Sequence, residues 1–457
     1  MSNFWDFSVW NGFNIVAVLL ISLLAASILK KTFKFLRVSL IPVSVLGGGI
    51  LILVEAIYKW ITGDQMFESA FFGANGTEVL EIITYHALAL GFVAQTFKST
   101  DAKMSKQRTN EIFNTGVTTV STYLLQGVVG LGITIVAAIF ISDFFAAAGI
   151  LLPFGFGQGT GQALNYGGIY QTDFGFVGGR SFGLTIAALG FLSASIGGVI
   201  HLNILRKKGK LKEQVLQNKG EVVGSEENGS MTESIDKMTI QIALIALAYL
   251  IAYLLMSLLG KLLPSMKSVI FGFNFLLGVV SATLVKTVMK FLNKKKLIRR
   301  KHINNFLMTR LSNFCFDVMV VAGIAAIRLD ELEKYWGVML ILGGVGLVVT
   351  YVYNYFVAKT LFKDYSEEQF LTMYGMLTGT ASTGIILLRE IDGDFKTPAA
   401  DNLVYQNFPA IVFGFPIMLL ATLAPVKPIL TLILLALFFV IMNIILFRSK
   451  IFKKRKK

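Results

Sequence analysis

Apolar runs of about twenty residues recur along this chain, separated by short polar turns, and that is the length an α-helix needs to cross the hydrocarbon core of a bilayer. The pattern predicts helices over 11–29, 39–60, 78–96, 112–142 and 177–205, then over 238–259, 268–291, 304–327, 336–358, 401–423 and 428–447. Some of these, such as 240–259, hold no charged residue at all. Residues 206–237 are the long polar exception, rich in Lys, Glu, Gly and Ser and too poor in apolar side chains to fold alone, which predicts a cytoplasmic linker. Each half then reads as four helices, an interrupted apolar stretch and a fifth helix. Five crossings is an odd number, so the second half must be inverted relative to the first. The predicted fold class is an all-α polytopic membrane protein made of two inverted five-helix repeats, 1–205 and 238–424. Each repeat carries a re-entrant hairpin, at about 144–171 and 361–391, and 425–457 adds one extra C-terminal helix and a basic cytoplasmic tail.

The two interruptions are rich in glycine and hydroxyl residues: G-F-G-Q-G-T-G over Gly155 to Gly161 and G-M-L-T-G-T-A-S-T-G over Gly375 to Gly384. Non-helical backbone at membrane depth costs several kcal/mol per unsatisfied group unless it is buried in protein or lines a wet cavity. One reading of both stretches is close helix packing, as for Gly47 to Gly49 and Gly343-Gly344, because small residues let helices approach. The other is a binding site at a repeat interface, favoured by the hydroxyls, by Pro153 ahead of the first break and by the matching positions. Glycine permits positive φ and close approach, while Ser and Thr supply uncharged oxygens. Together with helix N-termini, these groups suit a carboxylate and a dehydrated Na⁺. The candidate substrate residues are Gln158, Gly159, Thr160 and Gly161 in the first stretch and Thr378, Gly379, Thr380, Ser382, Thr383 and Gly384 in the second.

Composition agrees with this class, with 54% of residues apolar, 15% charged and a net charge of +15. The basic residues are not spread evenly. Lys30, Lys31, Lys34 and Arg37, then Lys98, Lys103, Lys106 and Arg108, the start of the linker, Lys294 to Lys296 with Arg299 to Lys301, and the tail from Arg448 to Lys457 all fall on one side of the predicted topology. Cytoplasmic loops carry such an excess. The N-terminus is therefore expected outside and the C-terminus in the cytoplasm, and the hairpins enter from opposite sides. The charge is then topological, with attraction to anionic membrane lipids as a side effect, and no nucleic-acid partner is expected. The start of the chain lacks the basic region and cleavage site of a signal peptide, so the first apolar run is expected to be a retained helix. The lone Cys315 excludes an intrachain disulfide, and no phosphate-binding G-x-x-x-x-G-K-[ST] pattern points to ATP hydrolysis.

Ionisable residues inside apolar runs are costly and point to function or to a protein partner. Asp317 sits mid-helix, where it would serve a Na⁺ site, a proton relay or a hydrogen bond to a neighbouring helix. His86 holds the corresponding place in the first half, and a satisfied histidine is its simpler reading. Arg389 would read a substrate carboxylate bidentately or pair with Glu390 or Asp392 at the cytoplasmic rim. Asn165 and Asn407 offer further oxygens for Na⁺, Asn407 beside the Pro409 kink. Glu78 and Glu81 are read as solvated carboxylates at the outer mouth.

On the residues Gly157-Gln158-Gly159-Thr160-Gly161 and Tyr374-Gly375-Met376-Leu377-Thr378-Gly379-Thr380-Ala381-Ser382-Thr383-Gly384, the chain resembles the bacterial sodium:glutamate symporters and their relatives, the sodium:citrate carriers. Gln158 departs from the histidine or small residue of the glutamate carriers, and no doubled glycine precedes it. The resemblance implies a homodimer whose core domain carries both loops across the membrane against a scaffold, with Na⁺ as coupling ion, an anionic amino acid such as glutamate as substrate, no other cofactor and no enzymatic activity. The alternatives are a Na⁺- or H⁺-coupled carrier of another carboxylate, a passive channel, or an intramembrane protease. A protease would need Ser382 to meet His86, or a second aspartate beside Asp317.

Overall fold

The computed structural model describes residues 3–98, 105–209, 236–295, 303–393 and 396–451. Most of the predicted linker and the end of the basic tail lie outside the described residues. The order is α1 (Phe7–Thr32), α2 (Lys34–Val38), α3 (Val43–Thr62), α4 (Gly76–Phe97), α5 (Lys106–Phe140), α6 (Leu151–Phe174) and α7 (Gly179–Lys207). There follow α8 (Lys237–Leu262), α9 (Lys267–Gly272), α10 (Asn274–Lys294), α11 (Asn305–Ala325), α12 (Trp336–Leu361), α13 (Ser366–Leu377), α14 (Ala381–Arg389), α15 (Ala399–Tyr405), α16 (Asn407–Leu423), α17 (Pro428–Leu446) and α18 (Arg448–Ile451). Among the described residues there are helices and short 3₁₀ turns but no strand.

The helix ends follow local chemistry. Ser105 caps α5 by accepting from the Arg108 N–H at 3.2 Å, and Asp236 caps α8 by accepting from Met238 and Thr239. Gly63 and Gly175 end α3 and α6 with φ of +83° and +70°, values that favour glycine.

Ten helices among the described residues are long and apolar enough to cross a membrane, or eleven if α15 and α16 together make one bent span. The chain is a multi-pass membrane protein. Two predicted single helices are divided. The stretch 401–423 breaks at Gln406, and its parts diverge by 52°. Pro409 has no N–H to give the carbonyl of Tyr405, which is the last residue of α15. Likewise 268–291 is split into α9 and α10 at Phe273, whose ψ of 22° leaves the helical region.

The helices form two compact units, and each draws on both halves of the sequence. The first unit comprises Met1–Thr84, Lys103–Asn203 and Val320–Lys457, and the second comprises Tyr85–Ala102 and Ile204–Met319. The second packs around Val93, Phe97, Ala248, Ala282 and Met308. Within it the Ser312 hydroxyl donates to the Gly91 carbonyl at 3.0 Å, tying α11 to α4.

In the first unit α5 runs through the interior and contacts α6, α12, α13, α16 and α17. Gly130 of α5 lets the chain around Gly149 come close, since a methyl group on Gly149 would lie 1.8 Å from the Gly130 carbonyl oxygen. Thr134 seals this contact by donating to the Ala146 carbonyl at 2.7 Å and accepting from the Gly149 N–H at 3.0 Å. The start of the first glycine-rich stretch is thereby fixed against α5.

Candidate functional site

The first glycine-rich stretch folds back on itself. Phe154 and Tyr166 stack with ring centroids 4.0 Å apart, whereas twelve residues of straight helix would span about 18 Å. The reversal is at Gly159, with φ 77° and ψ −170°. That region is essentially closed to residues with a Cβ, so Gly159 is required by conformation.

The second stretch reverses between α13 and α14, at Thr378, Gly379 and Thr380. Its arms touch backbone to backbone. A methyl group on Gly375 would lie 2.8 Å from the Gly384 Cα, and one on Gly384 would lie 2.4 Å from the Thr372 carbonyl oxygen. Gly375, Gly384 and Gly155 therefore serve close packing. The packing reading holds for these glycines, while Gly159 is set by its backbone conformation.

The tip of the second hairpin and the arm of the first at Phe156, three residues ahead of its reversal, meet on one turn of α7. A methyl group on Gly190 would lie 2.6 Å from the Thr378 carbonyl oxygen and 3.1 Å from the Phe156 Cα, and one on Gly379 would lie 3.1 Å from the Phe191 ring. Around this point Thr378 is fully buried and donates to the Tyr374 carbonyl at 2.7 Å, while Thr380 and Thr383 place their hydroxyl oxygens 3.4 Å apart. Thr160 is buried beside Gly323 of α11. Gln158 and Ser382 are half-buried, Gly161 is buried, and Asn165 donates to Gln162 at 3.2 Å.

The hairpins are held by α5, which the sequence reading passed over. Tyr123 donates to the Gly157 carbonyl at 3.0 Å, and one turn later the Gln126 amide donates to the Leu377 carbonyl and to Thr350, both at 2.9 Å. Further along the same face Thr119 donates to Gln406 at 2.8 Å, Gln406 donates to Asn407 at 3.0 Å, and Gln369 donates to Thr115 at 3.3 Å. At the end of this column Arg108 donates to Glu111 at 2.6 Å and to Asn402 at 3.0 Å. The signal was present. Glu111, Thr115, Thr119, Thr122 and Gln126 recur every three or four residues along one face of a mostly apolar helix.

The family model for the sodium/glutamate symporter matches residues 10–394, a stretch that includes both hairpins, α5, α7 and α12. The chain belongs to the sodium/glutamate symporter family. No curated protein matches it. The family is one of transporters, which assigns transport rather than catalysis to this chain and implies Na⁺ and glutamate as the transported species.

Within this family member, the remaining candidates are dispersed. Arg389 is exposed in the last turn of α14, at the other end of that helix from the tip. Eight residues of rise put it about 12 Å along the axis from Ala381. Asp317 is exposed and belongs to the second unit, whereas both hairpins lie in the first. Of the proposed Na⁺ residues, Asn165 and Asn407 share the hairpins' unit. His86 is also in the second unit, where its Nδ1 pairs with the Tyr249 hydroxyl at 2.7 Å. Glu81, read as solvated, takes a hydrogen bond from Arg180 at 2.8 Å.

The residues at the tips of this family member are neutral. No group of three or more His, Cys, Asp or Glu suited to a metal ion occurs among the described residues. Such oxygens fit a monovalent ion better than the divalent ions that carboxylate cages hold. Beyond α14 the loop is clasped by Asp392, whose carboxylate accepts from the Lys396 N–H at 2.8 Å and from the Thr397 N–H and hydroxyl at 2.8 and 2.6 Å. Burial pushes this carboxyl up, but the hydrogen bonds outweigh it and hold it below the usual aspartate value.

Proposed function

We propose that the chain imports glutamate, or a related anionic amino acid, together with Na⁺ across a bacterial inner membrane. The observation that carries this reading is the convergence of both hairpins on Gly190, which sets Thr378 and Phe156, three residues ahead of the Gly159 reversal, against one turn of α7. Both hairpins are read as re-entrant, entering from opposite sides of two inverted repeats with the N-terminus outside. Paired broken helices of this kind place substrate and ion near the midplane.

The substrate carboxylates are assigned to the first N–H groups of α14, which have no acceptor within the helix, and to the hydroxyls of Thr380, Ser382, Thr383 and Thr160. Gln158 and the backbone at Gly159, Gly161 and Gly379 complete the lining. Arg389 stands at the base of the hairpin and is assigned to the rim. Na⁺ binds first and orders the tips, which raises affinity for the substrate, and by reciprocity the substrate raises affinity for Na⁺. The loaded unit then moves across the bilayer in an elevator-like step, within a homodimer.

The test is uptake of labelled glutamate into proteoliposomes of the purified chain under an inward Na⁺ gradient, with K⁺ as replacement. Accumulation only with Na⁺ supports the reading. Accumulation in neither condition by folded protein removes glutamate, and other carboxylates under Na⁺ and H⁺ gradients are then the substrates to screen. Downhill flux without accumulation would identify a channel.

A further inference from the structure

Behind the tip of the second hairpin, α5 and α12 face each other through two buried amides, Gln126 and Asn354, each 1% exposed. Their orientation is dictated by chemistry. The Gln126 Nε2 points at the Leu377 carbonyl and the Asn354 Nδ2 at the Thr350 carbonyl, each at 2.9 Å, and a carbonyl oxygen can only accept. Neither amide can be turned round without setting oxygen against oxygen. Their other ends, Gln126 Oε1 and Asn354 Oδ1, are therefore acceptors, and both are buried with no hydrogen-bond partner among the described residues.

A buried acceptor left unpaired is costly, and two occur within one layer. Thr122 and Gln126 are four residues apart on α5, Thr350 and Asn354 are four apart on α12, and Asn354 donates to Thr122 at 3.3 Å while Gln126 donates to Thr350 at 2.9 Å. Residues four apart on a helix share a face. What gathers here is neutral oxygen: two amides, two hydroxyls and the Leu377 carbonyl.

From these two orphaned oxygens we infer a binding site for an alkali cation, Na⁺ in the first place, between α5 and α12. A cation held between α5 and α12 would give these acceptors a partner, and the absence of a carboxylate from the set selects a monovalent ion over a divalent one. The site differs from the Asp317, Asn165 and Asn407 set. It also has a direct line to the hairpin. A cation on Gln126 Oε1 polarises the amide and strengthens its donation to Leu377, the last residue before the Thr378 to Thr380 tip. Occupancy thereby steadies the tip that receives the substrate. The use of the site in coupling rests on the symport reading above, but its cation binding does not.

The experiment measures thermal stability of the full chain in detergent at constant ionic strength, with choline chloride replaced stepwise by NaCl, LiCl or KCl. Wild type is expected to gain stability with NaCl. In Asn354→Leu and in Gln126→Met, half-saturation should rise by about tenfold or more, while Asn354→Asp, which keeps an oxygen, should still respond to NaCl. If Asn354→Leu is aggregated, Gln126→Met and Asn354→Ser decide. No NaCl response in wild type, or the wild-type response in both Asn354→Leu and Gln126→Met, overturns the site. Glutamate uptake measured alongside separates the two readings. Na⁺-driven uptake with an unchanged Na⁺ dependence in the variants would leave the symport reading standing and place the ion elsewhere. A NaCl response that the variants lose, without Na⁺-driven uptake in wild type, would establish the cation site and remove the symport reading.

Discussion

The Tyr123 hydroxyl donates to the carbonyl of Gly157 at 3.0 Å, two residues ahead of the reversal at Gly159. One helix thus grips both hairpins, since Gln126 holds the end of α13 three residues further along α5. Tyr123→Phe removes the grip on the first and leaves a carbonyl without this donor, at a cost of about 1–2 kcal/mol. Its expected signature is a lower rate of uptake per folded molecule, with expression and gel-filtration profile close to wild type.

Gly159→Ala forces a Cβ into a backbone region that only glycine tolerates, costing about 1–3 kcal/mol. Gly132→Ala is the contrast. Gly132 lies within α5 with no described atom within 4 Å of an added methyl, and alanine is the better helix former by about 1 kcal/mol. Thermal denaturation in detergent should move down for the first variant and stay level or rise for the second. Equal behaviour would mean that the backbone at Gly159 is open to alanine.

Gly190→Ala tests the convergence of the hairpins. The added methyl meets the Thr378 carbonyl and the Phe156 Cα, and these are backbone atoms that cannot swing aside. Uptake should be lost while the protein remains monodisperse. Normal uptake in this variant would show that the two hairpins need not close on α7.

Thr380→Val and Thr160→Val exchange a hydroxyl for a methyl at nearly the same volume. Each should raise the glutamate concentration needed for half-maximal uptake without loss of folded protein in the membrane. If both transport normally, the tips are not the site.

Asp392 gives a pH prediction. Its carboxyl is depressed in the folded state, so its contribution to stability is fully present above the ordinary aspartate value of about 4. The contribution fades as pH falls through the lower folded value. Between pH 5 and pH 8 it should be constant, to within a few tenths of a pH-dependent kcal/mol. Asp392→Asn removes the charge and should destabilise the loop after α14 by about 1–2 kcal/mol at neutral pH. The difference from wild type should shrink below about pH 4, as read by limited proteolysis or hydrogen exchange of 390–398.

The class of this protein and the positions of its helices were legible in the sequence, because a bilayer demands about twenty apolar residues per crossing and the chain provides them in register from 11 to 447. The two reversals were legible as well, since Gly159 and the Thr378 to Thr380 turn are conformational needs that glycine and hydroxyl residues signal locally. The split of 401–423 was half visible, through Pro409. Three things were decided by tertiary structure alone. Gly375 and Gly384 meet through a fold-back contact that local pattern cannot distinguish from a flexible loop. The α5 face of Thr115, Thr119, Thr122 and Gln126 acquires meaning only because α12, α13 and the break between α15 and α16 bring their own polar groups to it from more than 200 residues away. Asp317 and the hairpins separate into different units because packing groups helices by the faces they bury, and neither the cost of a charge in an apolar run nor its symmetry with His86 carries that information.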